Sequence, residues 1–268
     1  MKTKKWVLIR GGGDLASGVA AVLHRDGWNV VICELAEPLV VRRRVAFAEA
    51  VWDGKCQVEE IRASRVTAFE EARAVLDAGE IAVLVDPDLE KADLLVFEAV
   101  VDARMLKRYE VNSLDPGTFL IGLGPGFIAG ENCDAVVETK RGDKLGSVIW
   151  SGAAENDTGI PGIVDGRGLE RVLYAPCAGE LEPKVEIGDF VCSGQLLAEV
   201  GGCPVRAAFD GMVRGLARRG LKVEKGVKIG DVDPRRDKKL SVTISDKALI
   251  VGNAVLSALK KRDVIGEK

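Results

Sequence analysis

The chain has 268 residues, 47% of them hydrophobic and 29% charged, with a formal net charge of −3. That balance suits a globular protein, and its mild acidity gives no reason to expect nucleic acid or an anionic membrane as a partner. Apolar runs are short and interrupted by charge, which argues against a transmembrane helix. The basic start at Lys2, Lys4 and Lys5 leads into a strand rather than into a signal-peptide core.

Val7, Leu8 and Ile9 form a short apolar run ending at glycine, as a buried parallel strand would. Gly11, Gly13 and Ala16 then fit G-x-G-x-x-G/A within Gly11-Gly12-Gly13-Asp14-Leu15-Ala16-Ser17-Gly18. Leu15, Val19, Val22 and Leu23 keep helical spacing, so this loop opens a helix, which Gly27 stops. Val30 to Cys33 reads as a second strand. Glu34 closes it at the distance expected of a carboxylate that holds a ribose. Glycines let the backbone approach a phosphate, and the N–H groups of the helix start face the anion. The unit therefore predicts a phosphate-bearing ligand at Gly11 to Gly18 and Glu34. The alternative is a tight strand-to-helix turn that binds nothing.

Pro38 opens a loop, and Arg42-Arg43-Arg44 follows before an apolar-periodic helix near Val45 to Trp52. Arginines at a helix start oppose its dipole, so Arg42 and Arg43 are candidates to meet a second anionic group. Val58 to Ile61 suggests a short strand, Ala68 to Ala78 a helix ended by Gly79, and Ile81 to Val85 a strand. Leu94 to Phe97 and Phe119 to Ile121 read as further strands. The last runs into a second glycine loop, Gly122-Leu123-Gly124-Pro125-Gly126. Gly122, Gly124 and Gly126 are placed with the first loop at the carboxyl edge of a parallel sheet, where ligands bind near the switch point. Val136 to Thr139 and Val148 to Trp150 are strands on either side of a turn. Glu138, Arg141, Asp157 and Thr158 are expected to line the same cleft. Ser151 to Gly168 reads as a long functional loop or linker.

From Leu173 the strands shorten and glycine turns crowd together, as in a small all-β module. Ala175-Pro176-Cys177-Ala178-Gly179 is echoed by Ala207-Ala208-Phe209-Asp210-Gly211, which looks like the two halves of a biotinyl/lipoyl-type barrel-sandwich. The hairpin between the halves, Gly201 to Arg206, has no lysine, so neither a lipoyl nor a biotinyl group is expected. Ser245 is the N-cap of a last helix whose Leu249, Val255, Leu256 and Leu259 share one face. The predicted fold class is α/β: a Rossmann-like parallel-sheet domain over 1–170, a barrel-sandwich-like β module over 171–240, and a C-terminal helix over 241–268 that packs back on the first domain.

The six cysteines, at 33, 56, 133, 177, 192 and 203, form no C-x-x-C, so neither a zinc site nor a dithiol motif is suggested, and free thiols suit a cytoplasmic location. His24 is the only histidine. A histidine-rich metal site is thereby excluded. With no Tyr-x-x-x-Lys either, no catalytic residue is assigned.

Several of these segments together resemble the YqeB-like proteins of the selenium-dependent molybdenum hydroxylase system, which are related to the XdhC-type molybdenum-cofactor accessory proteins. The matching stretches are Arg10 to Gly18, Pro38 to Arg43, Gly122 to Phe127, Val137 to Gly142, Asn156 to Gly162, Lys228 to Arg235 and Ile244 to Ala248. In one place the chain departs from the pattern: Asp143 stands where a histidine is expected. The resemblance implies an accessory protein for molybdenum-cofactor maturation or insertion, with a molybdenum hydroxylase as partner. Its ligand would be a molybdopterin-type cofactor or NAD(P). The alternatives are an NAD(P)-dependent oxidoreductase and a nucleotide-sensing scaffold. Whether the chain forms a homo-oligomer is left open.

Overall fold

In the computed structural model the described residues are 4–108, 110, 114, 117–157, 159 and 162–266. The chain divides into two compact units. The first comprises residues 1–36, 47–158 and 244–268, and the second residues 37–46 and 159–243.

The first unit is built on strands β1 (Trp6–Arg10), β2 (Asn29–Glu34), β3 (Lys55–Val58), β4 (Ile61–Val66), β5 (Ile81–Val85), β6 (Ala99–Asp102), β7 (Leu120–Leu123), β8 (Ile128–Ala129), β9 (Ala135–Val137), β10 (Val148–Ile149) and β11 (Gly152–Ala153). Nine of them form one sheet in the order β10-β9-β7-β6-β1-β2-β5-β4-β3, while β8 and β11 pair separately. Val7, Leu8 and Ile9 are fully buried at its centre, where β1 runs parallel to both β2 and β6. Helices α1 (Asp14–Arg25), α2 (Glu49–Asp53), α3 (Ala72–Asp77) and α4 (Asp246–Gly266) complete this unit.

Helix α1 is buried from Ala16 to Leu23, more than one amphipathic face, because α4 covers it as well. Two glycines allow this approach. A Cβ on Gly18 would lie 2.5 Å from that of Ala248, and one on Gly252 would lie 2.8 Å from Val22. Ser245 caps α4: its Oγ accepts the Ala248 N–H at 3.2 Å.

The second unit holds β12 (Val172–Tyr174), β13 (Gly179–Pro183), β14 (Phe190–Val191), β15 (Leu196–Val200), β16 (Cys203–Arg206), β17 (Gly211–Leu216), β18 (Lys222–Val223) and β19 (Lys228–Asp233). They make two four-stranded antiparallel sheets, β12-β19-β17-β14 and β16-β15-β13-β18. The segment 37–46 belongs here because its side chains are used here. Val41 packs on Gly215, Arg42 donates to the carbonyls of Leu240 and Thr243 at 3.0 Å, and Arg43 donates to the Leu216 carbonyl at 2.8 Å.

The expected fold class, a Rossmann-like parallel sheet followed by a barrel-sandwich module, is corrected by this topology. The large sheet is mixed: β3 pairs antiparallel with β4, and β10 with β9. The reason is connection length. A tight turn at Glu59 and Glu60, or the short run from Glu138 to Ser147, can reverse a chain but cannot carry it back over a sheet face to a parallel position. The second unit is a pair of separate antiparallel sheets. Two local readings also shift. Leu94–Val96 is a 3₁₀ turn ahead of β6 rather than a strand, and Val58 and Ile61 flank a turn in which Glu59 takes φ 53°.

Candidate functional site

Strands β4, β5, β2, β1, β6, β7 and β9 run parallel, so their carboxyl ends share one edge. The order of succession turns at β1: the chain fills the β2 side first, then returns to the other side with β6. In open α/β sheets such a switch point leaves a crevice above the strand ends.

Four buried carboxylates stand along this edge, and each clamps a loop. Glu34 accepts the Gly12 N–H at 2.8 Å through Oε1 and the Leu35 N–H at 2.6 Å through Oε2. Asp86 accepts the N–H groups of Glu90, Lys91 and Ala92 at 2.9–3.0 Å. Asp102 takes Arg104 through Nε and Nη2, and Arg10 through Nη1 at 3.4 Å. Glu138 accepts the Lys140 and Glu155 N–H groups, both at 2.7 Å. Burial holds the Glu34 carboxyl above its ordinary value, against the two backbone bonds it accepts. Burial likewise lowers the Arg10 guanidinium, which Asp102 opposes.

The first glycine loop divides by use. Gly11, at φ +90°, gives its N–H to the Cys33 carbonyl, and a Cβ on Gly12 would come 3.0 Å from the Ala48 nitrogen. The Ser17 hydroxyl donates to the Gly12 carbonyl and accepts the Phe47 N–H, while Gly18 and Ala16 are packed inside. Gly13, Asp14 and Leu15 instead lie partly exposed. Gly13 is the N-cap of α1 without a side-chain cap bond, and a Cβ there would meet nothing within 4 Å. The start of α1 thus opens at the switch point, with the positive end of the helix dipole facing outward.

The second loop leaves the same edge from β7, but its glycines answer to packing. A Cβ on Gly122 would lie 2.1 Å from Cγ of Phe127, and one on Gly126 would sit 2.5 Å from Leu106. Gly124 takes φ +85° beside Met105 and Thr139. The segment 103–106 joins the two loops, since Ala103 and Arg104 abut Gly11 while Met105 and Leu106 abut Gly124 and Gly126. Asp157 pairs with Lys107 at 3.2 Å. Arg141 reaches Asp246 through both terminal nitrogens at 2.8 and 2.9 Å. Arg42 and Arg43 belong to the second unit. Thr158 lies outside the described residues.

Sequence reasoning passed over Arg10, Asp86, Asp102 and Arg104. The signal that singled out Glu34 was available for three of them: each of Arg10, Asp86 and Asp102 is the charged residue that ends or follows a buried apolar run. Among the described residues no group of three or more His, Cys, Asp or Glu could hold a metal ion, and no helix is long and apolar enough to cross a membrane.

No family model matches the chain. The uncharacterized protein YqeB of Escherichia coli K12 is 45% identical to it over 253 residues, covering 94% of this chain. The chain is YqeB-like over most of its own length. It spans about half of that relative's length, 47%. Among solved structures, similarity is found to an aspartoacylase family protein of Mesorhizobium loti at 12% identity and a TM-score of 0.26, with coverage of 86% of this chain and 85% of that one. The ectoine utilization protein EutE of Ruegeria pomeroyi, in its apo form, shows 13% identity and a TM-score of 0.25, with coverage of 85% and 86%. At those scores the likeness says nothing of the chain's chemistry. None of these relatives is named for molybdenum, selenium or a dinucleotide-binding sheet. The molybdenum-cofactor and selenium descriptions implied by the resemblance are thus unsupported for this chain, and the Rossmann-like and barrel-sandwich readings of its residues are corrected by the sheet topology.

Proposed function

We propose that the first unit binds a phosphate-bearing dinucleotide at the start of α1 and acts as an accessory protein that holds this ligand for a partner enzyme. The observation that supports the reading is the uncapped, sterically open Gly13 at the sheet's switch point, where helix N–H groups and dipole favour an anion. An accessory role fits better than hydride transfer. His24 sits near the far end of α1, about 15 Å along the helix from Gly13, with Nε2 on the Gly79 carbonyl.

Two ligands follow from the resemblance: a pterin dinucleotide, with a molybdenum hydroxylase as the receiving partner, and a nicotinamide dinucleotide. Equilibrium titration of the protein with molybdopterin dinucleotide, NAD and NADP tests the proposal. Gly13→Val is the control, because the extended φ of −71° and ψ of −170° accept a branched side chain. Saturable binding that falls at least about tenfold in the variant, roughly 1.4 kcal/mol, is expected. No saturable binding of any of the three, or equal affinity in a folded variant, removes this loop as the site.

A further inference from the structure

The second unit brings together two cysteines that are distant in sequence. Cys203 opens β16 and faces Val200 across the β15–β16 hairpin, whose tip is Gly201-Gly202. The Cys177 thiol donates to the Val200 carbonyl at 2.8 Å. Around it the backbones nearly touch. A Cβ on Gly179 would lie 2.6 Å from the Gly201 Cα, and one on Gly201 would lie 2.7 Å from the Ala178 carbonyl oxygen and 3.5 Å from the Cys177 sulfur. Gly201 and Gly202, at φ +52° and +82°, make the tip that permits this approach. Both cysteines are partly exposed and reduced; Val200, whose carbonyl takes the Cys177 thiol, is the residue opposite Cys203, and hydrogen bonding with Cys177 raises the Cys203 thiol above its ordinary value.

We propose that Cys177 and Cys203 form a modification site: a dithiol that exchanges with a small-molecule disulfide and closes into an intramolecular disulfide, tying the 177–179 turn to the β15–β16 hairpin. One thiolate attacks a sulfur of the reagent disulfide, forming a mixed disulfide and releasing one reagent thiol. The second thiolate then attacks the protein sulfur of that mixed disulfide. The Cys177–Cys203 bond forms and the second reagent thiol leaves. The two protons lost by the cysteines end on the two released thiols. The protein gives up two electrons, and the reagent disulfide takes them.

The other cysteines serve as internal controls. Burial pushes the Cys33 and Cys56 thiols up to about 12 and that of Cys133 up to about 11, which keeps them inert. Cys192 is exposed on its own surface. The intact protein is incubated with glutathione disulfide, quenched in acid, alkylated and mapped by peptide mass spectrometry. The expected result is a joined Cys177–Cys203 peptide pair, with glutathione carried on Cys192. In Cys177→Ser the joined pair is lost and Cys203 retains glutathione. If Cys192 is modified in the parent while Cys177 and Cys203 come back as free thiols, as two separate mixed disulfides or joined to other cysteines, the proposal is overturned.

Discussion

Glu34 shows how a residue that reads as ligand-binding can also be part of the frame. Both its oxygens are bonded to backbone N–H groups, though a carboxylate oxygen has a second lone pair for a ribose hydroxyl. Its raised carboxyl pKa fixes the direction of a pH effect. The folded protein holds this proton more tightly than the unfolded chain. Between the unfolded value, about 4.3, and the raised folded value, the contribution to stability falls as pH rises. Glu34→Gln adds a roughly constant penalty, since an amide accepts only at its oxygen, but it removes the titration. Denaturation midpoints followed across that window should fall less steeply in the variant than in the parent. At Gly122 the demand is steric. Gly122→Ala drives a methyl into the Phe127 ring, and such overpacking costs about 1–3 kcal/mol, to be read from urea unfolding. Because this site lies beneath the loop, an unfolding midpoint equal to the parent's would show that Phe127 can swing away freely.

Among the elements, α1 and α4 approach closely because Gly18 leaves room for Ala248 and Gly252 leaves room for Val22. In an isolated helix, alanine is about 1 kcal/mol better than glycine. Gly18→Ala should nonetheless destabilise this protein by about 1–3 kcal/mol, because the added methyl meets Ala248 at a distance no pair of carbons tolerates. Thermal melting, with hydrogen exchange along α4, separates the outcomes: a gain in stability would mean that α4 shifts without cost. The loops at the carboxyl edge follow another rule. Each of Glu34, Asp86, Asp102 and Glu138 turns the end of a strand into a fixed loop by accepting N–H bonds where the ladder stops.

Across the whole molecule, the chain gives residues 37–46 to the second unit before returning to the first. Arg42 is buried and spends a guanidinium nitrogen on two carbonyls. Arg42→Ala should leave those carbonyls short of a donor and cost about 1–3 kcal/mol. The loss should register as faster hydrogen exchange in β17 and in residues 238–243. Unchanged exchange there would show that water replaces the arginine.

How much of this was legible beforehand depends on how local the cause is. The run Val7 to Ile9, the glycine turn, the spacing Leu15-Val19-Val22 and the run Val30 to Cys33 each carry their own signal, and the β1–α1–β2 unit follows from them. Ser245 as the cap of α4 is local in the same way. The direction of the edge strands β3 and β10 is not, because it depends on whether a connection is long enough to cross a sheet face. Nor could Gly122 and Gly126 show whether they made room for a ligand or for Phe127 and Leu106, since a missing side chain looks the same in both cases. The approach of Cys177 to the hairpin that carries Cys203, and the use of Arg42 within the second unit, arise from contacts between segments distant in sequence. Burial and partner choice are properties of the packed chain, so these were decided only when the sheets closed.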